Sequence, residues 1–247
     1  MAEAKKTVLE NMADAKKTIL EFADYTWPFC YIALGGAEVI EKETGVQVLW
    51  VPWEGRPEGI PFMESTPEEA KERLAKHISL AERYGMTLIY PVKSCRTRLA
   101  NQATLFARDQ GKMKEFRNGV YEARFQKDLD IGDPRVLVSI AEQVGIDGQA
   151  LSEVLEAQNY GKELDDLRQQ GQAMSVEGIP TYIVDGQLIF GMDPTDEVID
   201  AIRLQEKWKF IALTQMDRLH CFDGFAITLL LKRAANVSPR CFTDDEI

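Results

Sequence analysis

Two short stretches at opposite ends of the chain limit what it can fold into. Residues 18–25, Thr-Ile-Leu-Glu-Phe-Ala-Asp-Tyr, have the β-branched and aromatic content of a strand. Pro28 then stands where a helix can begin, because the amide hydrogen it lacks is one that a first turn leaves unpaired anyway. A helix over residues 28–44 with Gly45 as its C-cap follows, and Val-Gln-Val-Leu-Trp-Val at 46–51 reads as a second strand. Strand, helix, strand implies a parallel pair joined by a right-handed crossover. Far downstream, residues 181–184 and 187–190 are apolar runs separated by Asp185-Gly186, a strong hairpin signal. Gly191 and Pro194 then introduce a last helix, 195 to about 207.

Between these blocks no strand candidate of comparable quality occurs. Residues 54–67 are rich in Gly and Pro and read as a loop that delivers the chain to Thr66, an N-cap candidate with Glu68 and Glu69 in the following turn. From 68 to about 171 the pattern is helical, punctuated at Gly85, Pro91, Gly111, Asp133-Pro134 and Gly145 to Gly148, which implies four or five helices. The fold class expected is α/β, in the order βαβ, helical insertion, ββα. The corresponding division is a leader over 1–16, an α/β domain from 17–66 and 172–207, an insertion over 67–171 and an extension over 208–247. The leader contains AEAKKTVLE, which recurs eleven residues later as ADAKKTILE; two copies are too few for a solenoid.

Composition narrows the function classes. With 40 acidic against 29 basic residues the net charge is -11, a field that repels phosphate backbones, so nucleic acid is not expected as a partner. The amino terminus has no apolar run of signal-peptide length, and the apolar run at 225–231 is far shorter than the ~20 residues that span a bilayer, so a cytoplasmic protein with no membrane anchor is expected. Cys30, Cys95, Cys221 and Cys241 have no regular spacing, and a reducing compartment would keep them as thiols. His220-Cys221 with Cys95 and Cys241 lacks the paired short spacings of a zinc site, so no metal is expected.

The chemistry is carried by Trp27-Pro28-Phe29-Cys30 at a helix start and by Gly178-Ile179-Pro180 ahead of the hairpin. With Phe22-Ala23-Asp24-Tyr25, Pro28-Phe29-Cys30-Tyr31 and residues 178–186, Gly-Ile-Pro-Thr-Tyr-Ile-Val-Asp-Gly, the chain resembles the DsbA-like branch of the thioredoxin superfamily. Within it, the cytoplasmic polyketide-type dithiol isomerases and the 2-hydroxychromene-2-carboxylate isomerases are the most similar. The resemblance implies a thioredoxin fold, a cis Pro180 packed beside the motif, and a groove in which the outward-turned backbone of Ile179 pairs with an extended peptide or glutathione. It also implies that Trp27 stands where the family has the nucleophilic cysteine of CxxC, and that Cys30 is the buried resolving thiol.

Tryptophan is neither nucleophile nor acid nor base, so ordinary dithiol cycling is excluded for this sequence. Three readings remain. Cys30 works alone as a monothiol with glutathione or a substrate; or the site is a glutathione-dependent isomerase, whose serine or cysteine at 27 is missing while Thr26 lies one residue out of register; or the chain is a binding protein using Trp27 as an aromatic anchor in the groove. One further reading concerns codon 27: UGA, which can specify selenocysteine, differs from the tryptophan codon UGG by one base, so a selenocysteine or cysteine parent could be written here as Trp27. The expected site is therefore Cys30 and Trp27 for catalysis, with Pro28, Phe29, Ile179 and Pro180 contacting substrate. The expected partner is a thiol or disulfide peptide or small molecule, with glutathione as co-substrate and no bound cofactor.

Other residues are assigned less. Trp50, Trp53, Trp208, Phe62, Phe106 and Phe116 read as core or as the seam between sheet and helical block, with Trp53, Arg56 and Phe62 as weaker candidates for substrate contact. His77 is assigned no role. A helix candidate at 225–235 has an apolar face suited to docking on the domain or on a second copy, as in a homodimer. The acidic residues 243–247 read as a frayed end.

Overall fold

The strand Thr18–Ala23 (β1) lies at the centre of a four-stranded mixed sheet ordered β2-β1-β3-β4, where β2 is Gln47–Pro52, β3 Thr181–Val184 and β4 Gln187–Phe190. In this computed structural model, residues 18–62, 67–89, 91 and 94–216 are described. β1 runs parallel to β2, with Phe22 opposite Val51, and antiparallel to β3, with Phe22 opposite Thr181. Its apolar sequence follows from that position: with a neighbour on each edge and layers on both faces, Phe22 and Ala23 have no exposed surface.

The helix Pro28–Thr44 (α1) starts with Pro at its first turn and ends at Gly45, whose φ of 67° needs a residue without Cβ strain and whose amide closes on the Glu41 carbonyl. Both termini are where the sequence predicts them. The expected strand 18–25 ends earlier, at Ala23, because Asp24 and Tyr25 are drawn into the turn that leads to α1.

Six helices, not four or five, occupy the stretch between β2 and β3 among the described residues: α2 Pro67–Arg83, α3 Arg98–Asp109, α4 Met113–Phe125, α5 Pro134–Gln143, α6 Gly148–Glu156 and α7 Gly161–Ala173. The breaks expected at Asp133-Pro134 and Gly145 to Gly148 are present, with Asp133 accepting from the Arg135 amide ahead of α5 and Asp147 from those of Gln149 and Ala150 ahead of α6; the unexpected one is 157–160, between α6 and α7, where Gln158 turns the chain at a φ of 53°. The last helix, α8, runs Thr195–Met216, beyond the expected 207. Thr66, the leader 1–16 and the candidate helix at 225–235 lie outside the described residues, as do the acidic end, His220, Cys221 and Cys241. Two compact units are present, Met1–Ile199 and Asp200–Ile247. Among the described residues no helix is long and apolar enough to cross a membrane.

The helical block and the sheet share one apolar core within the first unit. Tyr25 packs its ring against Trp50 and Tyr121 at 5.3 and 4.7 Å, and Tyr31 stacks on Phe125 at 5.3 Å, so α4 is held to β1, β2 and α1 by aromatic contacts. Trp50, Trp53, Phe106 and Phe116 are buried, as expected of core residues. α7 approaches Trp53 and Phe22 closely at Gly171, where a methyl group would stand only 2.9 Å from the Trp53 indole nitrogen.

Candidate functional site

Trp27 is the N-cap residue of α1, in extended backbone at φ -108° and ψ 132°, with no side-chain cap bond and no acidic residue in the first turn. The positive end of the α1 dipole is therefore left uncompensated by the helix's own side chains. Trp27 and Phe29 are half-buried, whereas Pro28 and Cys30 are buried. The Cys30 amide donates to the Trp27 carbonyl at 3.1 Å, the first turn that sets residues 27 and 30 side by side.

The peptide bond between Ile179 and Pro180 is cis. A methyl group placed on Gly55, just beyond β2, would lie 3.1 Å from Ile179 Cδ1, 3.4 Å from Asp24 Oδ2 and 3.8 Å from Trp27 Nε1. The two motifs that the sequence holds far apart thus meet at the carboxyl end of the parallel pair, where open α/β sheets bind ligands. Among the described residues no hydrogen bond engages the Ile179 amide or carbonyl.

Cys30 has no exposed surface, and burial pushes its thiol well above the ordinary cysteine value; the charges of Glu21 and Asp24 act in the same direction, against the Asp24 backbone. A thiol in that state is a poor nucleophile. Cys95 is likewise buried, its thiol raised to about 11 chiefly by burial.

Two carboxylates beneath the motif carry no role in the sequence reading. Asp24, fully buried, accepts five hydrogen bonds: from the Tyr25 amide at 2.8 Å, Thr26 Oγ1 at 2.6 Å, the Gly55 amide at 3.0 Å, Thr97 Oγ1 at 3.0 Å and Asn101 Nδ2 at 2.9 Å. It ties the β1–α1 turn to the end of β2 and to α3. The Thr26 hydroxyl is consequently committed to Asp24. Glu21, on β1, is fully buried with both oxygens lacking a hydrogen-bond partner. Burial raises it to about 7, with Arg117 opposing and Glu41 adding to the shift.

Glu21 therefore lowers stability as pH rises. Its folded value lies above its unfolded value of 4.5, so between the two the native state holds the proton that the unfolded state has lost. Stability falls across that window and levels off above about 7, a total near 3 kcal/mol at ~1.4 kcal/mol per pH unit. Glu21→Gln, uncharged at all pH values, is expected to match the parent near pH 5 and to exceed it in Tm by several degrees at pH 8. Parallel melting profiles for the two chains across that range would refute the assignment.

His77, assigned no role from sequence, is buried and sets its ring edge-on against Phe29 with centroids 4.4 Å apart. Burial lowers it to about 4, assisted by Arg73, so it is neutral at physiological pH. The spacing of Leu74, His77 and Ala81 on one helical face is the signal that could have placed it inward. Of the weaker candidates, Arg56 lies over the Trp27 ring, 5.0 Å from its centroid; Phe62 carries the Arg96 guanidinium at 4.4 Å, and Trp53 that of Arg168 at 5.1 Å. The Trp208 side chain lies outside what is described.

A four-stranded sheet with a helix-start xPxC motif facing a cis-proline loop, interrupted by a helical insertion, defines a thioredoxin-type protein. The model of the DSBA-like thioredoxin domain matches residues 18–203, and the chain belongs to that family. It is 30% identical over 193 residues to the uncharacterized protein YwbO of Bacillus subtilis, covering 76% of this chain and 96% of YwbO. With the 2-hydroxychromene-2-carboxylate isomerase of Sphingobium xenophagum it shares 27% identity over 182 residues, 71% of this chain and 92% of that protein. The cytosolic disulfide reductase DsbM of Pseudomonas aeruginosa, solved with GSH, superposes with a TM-score of 0.56 at 15% identity, covering 77% and 98% of the two chains. Proteins of this fold thus include a disulfide reductase, and the sequence relatives include an isomerase.

Proposed function

We propose that the site is of the thiol–disulfide exchange type, with position 27 as its working position and Cys30 as the buried resolving thiol. As written, with Trp27, the chain binds a thiol or disulfide ligand in the cis-proline groove without exchanging it. A cytoplasmic setting, like that of the cytosolic disulfide reductase it resembles, would keep Cys30 and Cys95 in the free state in which they stand. Glutathione or a small peptide is the ligand class.

The observation that supports this reading is the contrast between two neighbours on one helical turn. Cys30 is sealed and its thiol raised, while Trp27 is half-buried at the N-cap beside Ile179. An exchange site needs its nucleophile at the outer position, where the helix dipole favours a thiolate; Cys30 as sole nucleophile is therefore disfavoured. The isomerase reading with Thr26 as the hydroxyl is disfavoured too, because Asp24 holds that hydroxyl at 2.6 Å.

Two measurements test the reading. A thiol-reactive label, localised on the peptide that contains Cys30, should leave that residue unmodified in the folded chain at neutral pH and modify it after unfolding. Insulin and glutathione-disulfide reduction should stay at background. Rapid labelling of folded protein accompanied by glutathione-disulfide turnover would instead make Cys30 a working monothiol.

A further inference from the structure

Arg56 lies over the Trp27 ring, and Arg96 is bonded to the loop that carries Arg56. Arg83, Arg98, Arg108 and Arg135 each pair with an aspartate or glutamate. Arg56 and Arg96 have no carboxylate partner among the described residues, although the chain carries a net charge of -11. Arg56 follows β2 and Arg96 lies between α2 and α3, and the bonds from Arg96 to the carbonyls of Arg56, Pro57 and Ile60 bring the two segments together.

Their immediate contacts fix them in place without using up their donors. Arg56 Nη1 donates to the Pro61 carbonyl at 2.6 Å, and the group lies over the Trp27 ring. Arg96 Nη1 donates to the carbonyls of Arg56, Pro57 and Ile60 at 3.0, 3.1 and 2.9 Å, while its guanidinium rests on Phe62. Each retains Nε and Nη2, and a guanidinium presents five N–H donors in a planar fork suited to a carboxylate. Arg56 is half-buried and Arg96 exposed. The uncapped start of α1 adds positive potential from below. Of nearby acids, Asp24 is saturated by its five donors, and Glu58 is exposed on the same loop.

We propose that Arg56 and Arg96 form a carboxylate-binding subsite next to Trp27, so that the small ligand of the cis-proline groove is an organic acid whose carboxylate is held over the start of α1. Arg96 braces the loop as well as facing the ligand; Arg56 is the specificity-determining residue. This rests on the groove-binding reading given above, but its test does not require exchange chemistry.

The probe is S-methylglutathione, a thioether that cannot enter thiol exchange, titrated calorimetrically into the full chain. Binding is expected to weaken about tenfold in Arg56→Met, the scale of one hydrogen bond to a charged group. It is also expected to weaken with added salt, and the dimethyl ester of the probe should bind parent and variant equally weakly. Arg56→Lys, which keeps the charge and loses the fork, should fall between. Circular dichroism of the variants excludes unfolding as the cause. Equal affinity of parent and Arg56→Met, ester binding as tight as that of the acid, or no binding of S-methylglutathione would each overturn the proposal. Whether position 27 can support exchange is decided separately, by a gain of turnover that does not depend on this titration.

Discussion

Trp27→Cys is expected to make the chain a reductase of insulin and glutathione disulfide when a dithiol reductant is supplied, raising turnover on the order of a hundredfold or more above the parent, since nucleophile removal acts on at least that scale. The new thiol would sit at the N-cap of a 17-residue helix with no acid in its first turn, an environment that lowers a thiol's pKa. Residues 27 and 30 are joined by the first turn's hydrogen bond, and three residues apart on a helix lie about 5–6 Å from one another, within disulfide reach. The outer thiolate attacks one sulfur of the substrate disulfide and expels the other as a thiolate. Cys30 then attacks the mixed disulfide, releasing the second substrate thiolate and leaving the motif oxidised, and an added dithiol reductant supplies the two electrons that restore both thiols for the next turnover. A variant that is folded, labelled readily at position 27 and yet inert would show that the groove never served thiol exchange. A native codon UGA at position 27 would make the parent a selenol enzyme; UGG would end that idea.

Replacing the buried Asp24 should damage stability more than any change at the motif itself. Asp24→Ala strands the Tyr25 amide, the Thr97 hydroxyl and the Asn101 amide in the fully buried interior and removes the acceptor of the half-buried Thr26 hydroxyl and Gly55 amide. Removing the acceptor of such a network costs about 3–5 kcal/mol, which for a chain of this size lowers Tm by roughly 10 °C. Asp24→Asn keeps the shape but turns two N–H groups toward donors and should recover only part of the loss. Urea unfolding of the three chains measures this, and a loss below about 1 kcal/mol for Asp24→Ala would mean that the network is not the brace its geometry describes.

The local elements were readable because each rests on short-range chemistry. Pro28 and Gly45 bound α1 through their own backbone preferences, Asp185-Gly186 turns the hairpin, and β-branched and aromatic residues mark β1 and β2. The cis bond before Pro180 was implied by family resemblance and is present. The breaks at Asp133-Pro134 and Gly145 to Gly148 were legible from the same short-range chemistry, whereas the one at 157–160 was not, because its turn is made by Gln158 at a positive φ, a residue type that does not announce one.

The site was legible as a motif and not as an environment. From its sequence alone the chain is committed to a strand that feeds an xPxC helix, to a hairpin behind Ile179-Pro180, and to the loss of dithiol cycling at Trp27, because these follow from residue type and neighbours in the chain. Only the tertiary structure decides that Cys30 is sealed, that Glu21 is held near neutrality, that His77 abuts Phe29, that Asp24 gathers donors from residues as distant as Asn101, and that Arg56 covers Trp27. Those properties depend on which groups surround a side chain and how far water is excluded from it, and such neighbours are assembled by packing across long sequence separations rather than by the local pattern.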